Sequence, residues 1–336
     1  MPELQLRERT FYLKEESLEE QLFLDQHLSS CHLCPRECGA ARMEGRAGAC
    51  GAGAVIKVAR AALHLWEEPC ISGKEGSGAV FFSGCPLGCI YCQNQEISRG
   101  QAGYEITVDR LADIFLELQN DKKANNINLV TACHYVPQVV LALQKAKKGG
   151  LAIPVVYNSS GYEKVETLKM LDGLVDVYLP DFKYWDPELA VRYSRAADYP
   201  KTVRAAIAEM VRQTGPCEFD GRGLIRKGVI VRQLLLPGHV KNSKDILGYL
   251  YNTYHEDIYI SIMSQYTPMP QVKEDPLLGR RVTVREYQRL IDYALELGIE
   301  NGYTQERKVA LESFIPDFDG EGVLGKMSNE PETAEK

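Results

Sequence analysis

Six short apolar runs alternate along the chain with segments of helical period. The runs cover residues 79–83, 127–130, 153–157, 174–179, 229–236 and 258–263. Between and after them, residues 111–119, 136–147, 164–171, 203–212, 243–251 and 285–297 carry apolar positions three and four apart, the helical signature. Strands alternating with helices predict a parallel sheet joined by right-handed crossovers. Polar or special residues follow each run: a cysteine loop, then residues 131–134, 158–161, 181–183, 237–238 and 264–266. In βα folds the carboxyl ends of the strands are where a site assembles. Six units are too few for a closed eight-stranded barrel, so the pattern predicts an α/β fold that is either a partial (β/α)6 barrel or an open, doubly wound sheet.

The loop after the first run reads Ser83-Gly84-Cys85-Pro86-Leu87-Gly88-Cys89-Ile90-Tyr91-Cys92. Soft thiolates select iron-sulfur clusters, zinc or Cu(I). A 4Fe-4S cluster takes one cysteine per iron, so three thiols on one loop leave one iron open to bind and cleave a ligand. Gly84 and Gly88 allow the backbone to turn tightly around an inorganic core. A zinc knuckle or reduced structural thiols are the other readings of three nearby cysteines; Tyr91 and the preceding strand favour the cluster.

With CxxxC followed by an aromatic residue and a third cysteine, this loop resembles the radical SAM superfamily. Within it, residues 76–85 running into Tyr91-Cys92-Gln93-Asn94 are similar to the glycyl-radical-enzyme activases, the pyruvate formate-lyase activating enzyme group, and most similar to the PflX-type branch. The resemblance implies a partial (β/α)6 barrel, a 4Fe-4S cluster on Cys85, Cys89 and Cys92, and S-adenosyl-L-methionine bound at the open iron. It also implies a one-electron reductant such as flavodoxin or ferredoxin, and a glycine of a partner glycyl radical enzyme as substrate. The site residues it implies around the cofactor are Tyr91, Thr131, His134, Asn158, Ser159, Asp181, Lys183 and Arg232, with Gln265 and Tyr266 near the adenine. Two motifs depart from the activases: Thr131-Ala132-Cys133-His134 stands where they carry Gly-Gly-Glu, the ligand of the cofactor amino group, and residues 74–79 lack their proline and arginine. These departures leave open a peptide or small-molecule substrate. A reading of a different class is a non-catalytic iron-sulfur or zinc protein that carries electrons or has a structural role.

Composition narrows the partners. The 336 residues are 45% hydrophobic with net charge -7, enough for a large core and without the positive excess that nucleic acid or an anionic membrane would require. No apolar stretch is long enough to span a bilayer and no apolar leader opens the chain, which predicts a cytoplasmic protein. In that setting the seven of ten cysteines that fall in two clusters read as metal ligands rather than disulfides, while Cys70 and Cys217 read as ordinary buried or reduced thiols. Cys31, Cys34, Cys38 and Cys50 form a second set in a segment too poor in apolar residues to fold on its own core, predicting a second metal site, zinc or iron-sulfur. The expected division is therefore 1–70, an N-terminal Cys-rich metal-binding segment; 71–300, the barrel; and 301–336, an extension ending in a disordered tail at 328–336.

Overall fold

Strands whose residues are buried on both faces, as parallel strands covered by helices must be, form the centre of the molecule. A computed structural model describes residues 17–99, 102–304 and 316–325; the tail at 328–336 lies outside the described residues. The strands are β1 (Ile56–His64), β2 (Ser77–Phe82), β3 (Tyr104–Ile106), β4 (Ile127–Val130), β5 (Val155–Ser159), β6 (Val177–Pro180), β7 (Glu218–Phe219), β8 (Ile225–Leu234), β9 (Tyr259–Met263) and β10 (Gly302–Thr304). They make one mixed sheet in the order β10-β9-β8-β6-β5-β4-β2-β1-β3, with β7 beside β8. From β2 to β10 the neighbours run parallel, while β1 pairs antiparallel with both β2 and β3.

The antiparallel edge is absent from the expectation of a purely parallel sheet. Its cause is β1, whose Ile-Lys-Val-Ala-Arg-Ala-Ala-Leu-His sequence has half-exposed positions mixed among buried ones, a pattern that reads as neither strand nor helix by period. β1 lies within the segment 1–70 and β10 within 301–336, so both flanking segments contribute strands to the central sheet. Residues 316–325 return to the β1 side: the Arg60 guanidinium pairs with Asp319 and Glu321, and Ala61 N–H donates to the Glu321 carbonyl (2.8 Å). β5 runs two residues later than its apolar run, through Asn158 and Ser159, both of which are buried. Polar residues can end a strand there because they face a cavity.

Side-chain alternation assigns the two faces. Val229, Val231, Tyr157 and Tyr178 join the main core under the helices, whereas Val156, Val177, Leu179, Ile225 and Ile230 join Cys70 and Ile71 in a separate small cluster. Cys70 and Ile71 sit in the short helix Pro69–Ser72, which enters β2. Asn158, Asp181 and Arg232 stand two residues further along β5, β6 and β8 on this second face. A layer of polar and charged side chains thus lies between the apolar cluster and the loop that follows β2.

Candidate active site

The loop after β2 is held from below. Gly84 has φ +96°, and a Cβ there would come within 2.8 Å of the Cys50 carbonyl and 3.0 Å of His134 Nε2. Glycine is therefore required both by conformation and by space. Cys85 N–H donates to the Cys50 carbonyl (3.2 Å), and His134 Nε2 bonds the Ser83 carbonyl (2.8 Å). Arg36, inside the second cysteine set, grips the loop from the side through the carbonyls of Pro86 (2.9 Å) and Leu87 (3.3 Å), and reaches Ser194 as well (2.7 Å). Cys89 Sγ accepts from Ser194 Oγ (3.1 Å). Tyr91 is buried, its hydroxyl accepting from the Tyr184 hydroxyl (2.8 Å), and its ring is set edge-on against Tyr184, Tyr193 and Tyr266.

A cavity of about 250 Å³ opens over this loop, and most of the expected residues meet in it: Cys85, Cys89, Cys92 and Tyr91 from the loop, Thr131 after β4, Asn158 and Ser159 from β5, Asp181 and Lys183 after β6, and Arg232 from β8. Gln265 also lines it. His134 and Tyr266 do not: His134 is buried beneath the loop, where burial pushes its pKa down to about 3 and keeps it neutral, and the Tyr266 hydroxyl donates to the Leu278 carbonyl (2.7 Å). His134 is a positioning residue for Ser83 and Gly84. Thr131 has φ +61°, an uncommon conformation for a β-branched residue, and its N–H donates to the Asn158 carbonyl (2.8 Å).

In the charged layer the Arg232 guanidinium is paired within the protein: Nε donates to Asp181 Oδ1 (2.8 Å), Nη1 to Glu67 Oε2 (3.1 Å) and Nη2 to Asn158 Oδ1 (2.6 Å). Lys183 Nζ bonds the other oxygen of Asp181 (2.5 Å). Glu67 also accepts from Asn128 (3.1 Å) and Asn158 (3.2 Å). Burial pushes the Asp181 carboxyl up, but Arg232 and Lys183 outweigh it and hold the group below its ordinary value. For Glu67 and Glu68 burial wins over the pull of Arg232, and both are raised. Glu67 and Glu68 line the cavity and were not foreseen. Two adjacent glutamates before a Pro read as a solvated turn; only the distant Arg232 in an apolar strand signalled that buried carboxylates were needed.

The donor set suits an iron-sulfur cluster. Cys85 is pushed up to about 12 by burial, then by Cys89 and Cys92, so a free thiolate is disfavoured until a metal shares its charge. The cavity then offers the open side of that cluster polar groups rather than a fourth thiol.

Residues 79–216 match the model of the Radical SAM superfamily. The matched stretch begins in β2 and takes in the cysteine loop. That superfamily implies a 4Fe-4S cluster and S-adenosylmethionine, and the donor set here fits such a group. The chain is 28% identical over 283 residues to the uncharacterized protein MJ0674 of Methanocaldococcus jannaschii, covering 81% of this chain and 76% of that protein. Among solved structures, SuiB of Streptococcus suis bound to its precursor peptide SuiA aligns at 11% identity with a TM-score of 0.45, over 66% of this chain and 46% of that one.

In the second set Cys31, Cys34 and Cys50 are buried and Cys38 is exposed. The Cys38 and Cys50 sulfurs lie 3.5 and 3.4 Å from the point a Gly48 Cβ would occupy, and Arg42 Nη1 donates to Cys31 Sγ (3.7 Å). The Cys50 carbonyl links this set to the Cys85 loop. No helix among the described residues is long and apolar enough to cross a membrane.

Proposed function

We propose that the protein is a radical SAM enzyme whose Cys85, Cys89 and Cys92 hold a 4Fe-4S cluster and whose strand-end residues hold S-adenosylmethionine against it. The single observation that carries this is the cavity in which the three-cysteine loop meets Thr131, Asn158, Ser159, Asp181 and Lys183. We read the parallel run from β2 to β9 as the partial barrel around that cavity. When bound, the cluster and S-adenosylmethionine supply a 5′-deoxyadenosyl radical that takes hydrogen from a substrate.

The chain's own residues prepare the site for that chemistry. Asp181 fixes Lys183 and Arg232 in one ionic network, and Lys183 lies near enough to Cys89 and Cys92 to be attracted by thiolate charge there. Thr131 and Asn158 present hydroxyl and amide groups to a polar ligand. The aromatic wall of Tyr91, Tyr184, Tyr193 and Tyr266 excludes water behind the loop. With Gly-Gly-Glu replaced by residues 131–134, backbone carbonyls and Thr131 are the available acceptors on that loop for a cofactor amino group. A flavodoxin or ferredoxin would deliver the electron. The substrate suggested by the activase resemblance is a glycine of a glycyl radical enzyme; hydrogen abstraction from a peptide or small molecule is the alternative. The second set, Cys31, Cys34, Cys38 and Cys50, is proposed to hold zinc or an iron-sulfur cluster.

The test is the variant Cys85→Ala/Cys89→Ala/Cys92→Ala, reconstituted anaerobically with iron and sulfide. Loss of about four irons per chain, and of any change in the reduced cluster's EPR spectrum on adding S-adenosylmethionine, is expected. Unchanged iron and an unchanged response would sink the assignment.

A further inference from the structure

Taking the cysteine loop aside, the cavity is lined by three carboxylates, Glu67, Glu68 and Asp181, and two cationic side chains, Lys183 and Arg232. Asp181 and Glu67 make the close ion pairs with the two cations. Glu68 feels the pull of Arg232, but its Oε2 carries no hydrogen bond. It is 7% exposed, and its Oε2 atom is buried with no hydrogen-bond partner among the described residues. A buried carboxylate oxygen left unpaired costs free energy, which a cation arriving from outside would recover.

The surroundings say what kind of cation. Trp66 and Phe81 line the same cavity as Glu68, and aromatic faces attract organic cations. Trp66 is 57% exposed and, with His64, Phe81 and Pro316, also lines an adjoining surface cleft of about 160 Å³ that continues over Leu63 and Leu65. The cleft and the cavity share these four residues. Burial lowers the pKa of His64, with Arg60 and Arg232 adding to it, so this imidazole does not compete as a cation.

We propose that Glu68 is the receptor for a positively charged organic group, an alkylammonium, on the substrate, which enters past Trp66. This deepens the reading of the cavity as a radical SAM active site and rests on it. The side chain argued to hold the substrate's charge is thus separate from the groups argued to hold the cofactor, and a glutamate before β2 sets specificity for basic substrates.

The experiment uses full-length reconstituted protein saturated with S-adenosylmethionine, titrated anaerobically by calorimetry with n-hexylammonium, n-hexanol, hexanoate and potassium ion. Hexylammonium is expected to bind and the other three probes are not; Glu68→Gln should weaken hexylammonium about tenfold or more, as loss of one charge-assisted hydrogen bond does. Glu68→Gln should unfold at a temperature no lower than the wild type, because burial outweighs the pull of Arg232 on this charge and no hydrogen bond to Oε2 is lost. Trp66→Ala, at an exposed position, should weaken hexylammonium a few-fold and serves if the first variant does not fold. Equal binding of hexanol or potassium, unchanged hexylammonium affinity in Glu68→Gln, or a loss confined to S-adenosylmethionine affinity would each overturn the proposal. Formation of 5′-deoxyadenosine by the wild type is measured in parallel. Its absence alongside selective hexylammonium binding would count against the enzyme reading and leave the cation site standing.

Discussion

Replacing Arg232 with methionine removes a cation of similar length from the middle of the charged layer. Three hydrogen bonds go with it, to Asp181, Glu67 and Asn158. Asp181 keeps Lys183. Glu67 keeps only the amides of Asn128 and Asn158, and its side chain is 9% exposed, so it becomes a buried charge without a counterion. Removing one partner of such a pair costs about 3–5 kcal/mol, against a total stability of about 5–15 kcal/mol for a folded domain. Urea unfolding of anaerobically reduced protein measures it. Glu67→Gln should cancel part of the cost, so Arg232→Met in the Glu67→Gln background should be milder by about 1–3 kcal/mol, the coupling typical of contacting groups. The pH dependence has a definite sign. Burial raises the Glu67 carboxyl, so the folded chain holds that proton more tightly than the unfolded chain. The penalty in Arg232→Met is therefore small below the ordinary carboxylate value and grows as pH rises through the raised one. A cost below about 1 kcal/mol at neutral pH, or equal costs in both backgrounds, would refute the reasoning that Arg232 exists to neutralise Glu67 and Asp181.

Other consequences are open to measurement. Glu163 is buried with one oxygen bonded by the Tyr157 hydroxyl (3.2 Å), and burial raises its pKa to about 8; stability of the metal-free protein should fall as pH rises from about 4.5 to 8, and Glu163→Gln should flatten that fall, as urea midpoints across the range would reveal. Gly84→Ala places a methyl group 2.8 Å from the Cys50 carbonyl at φ +96°, so reconstitution should yield less iron and unfolding should come earlier by more than about 1 kcal/mol. Thr131→Gly relieves a left-handed conformation worth about 1–2 kcal/mol and adds about 0.5–1 kcal/mol of unfolded-chain freedom. The net gain should lie between zero and about 1.5 kcal/mol, and a clear loss instead would indicate that the hydroxyl carries a structural bond.

The parts of this site that were legible in the sequence are those with local causes. Cys85, Cys89 and Cys92 declare themselves by spacing within eight residues, and the polar strand ends at 131–134, 158–161 and 181–183 follow apolar runs that recur as β4, β5 and β6. What escaped was built from long-range pairing. Glu67 meets Arg232 across 165 residues of chain, and neither the glutamate nor its buried environment leaves a periodic trace. β1 was hidden because a strand with mixed burial has no clean alternation, and it took the segment 1–70 into the sheet. The bounds of β5 were placed two residues too early because Asn158 and Ser159 look like a turn, although a cavity lets polar side chains continue a buried strand. Arg232, which the resemblance places around the cofactor, finds its counterions in two carboxylates of the chain itself, Asp181 and Glu67.

The central claim is that the Cys85 loop and its cavity cleave S-adenosylmethionine reductively. Full-length protein carrying four irons on that loop, incubated anaerobically with dithionite and S-adenosylmethionine, should release 5′-deoxyadenosine and methionine in equal amounts, quantified by liquid chromatography and mass spectrometry. Correctly loaded and reduced protein that releases neither product would contradict it and leave a metal-binding protein without this chemistry.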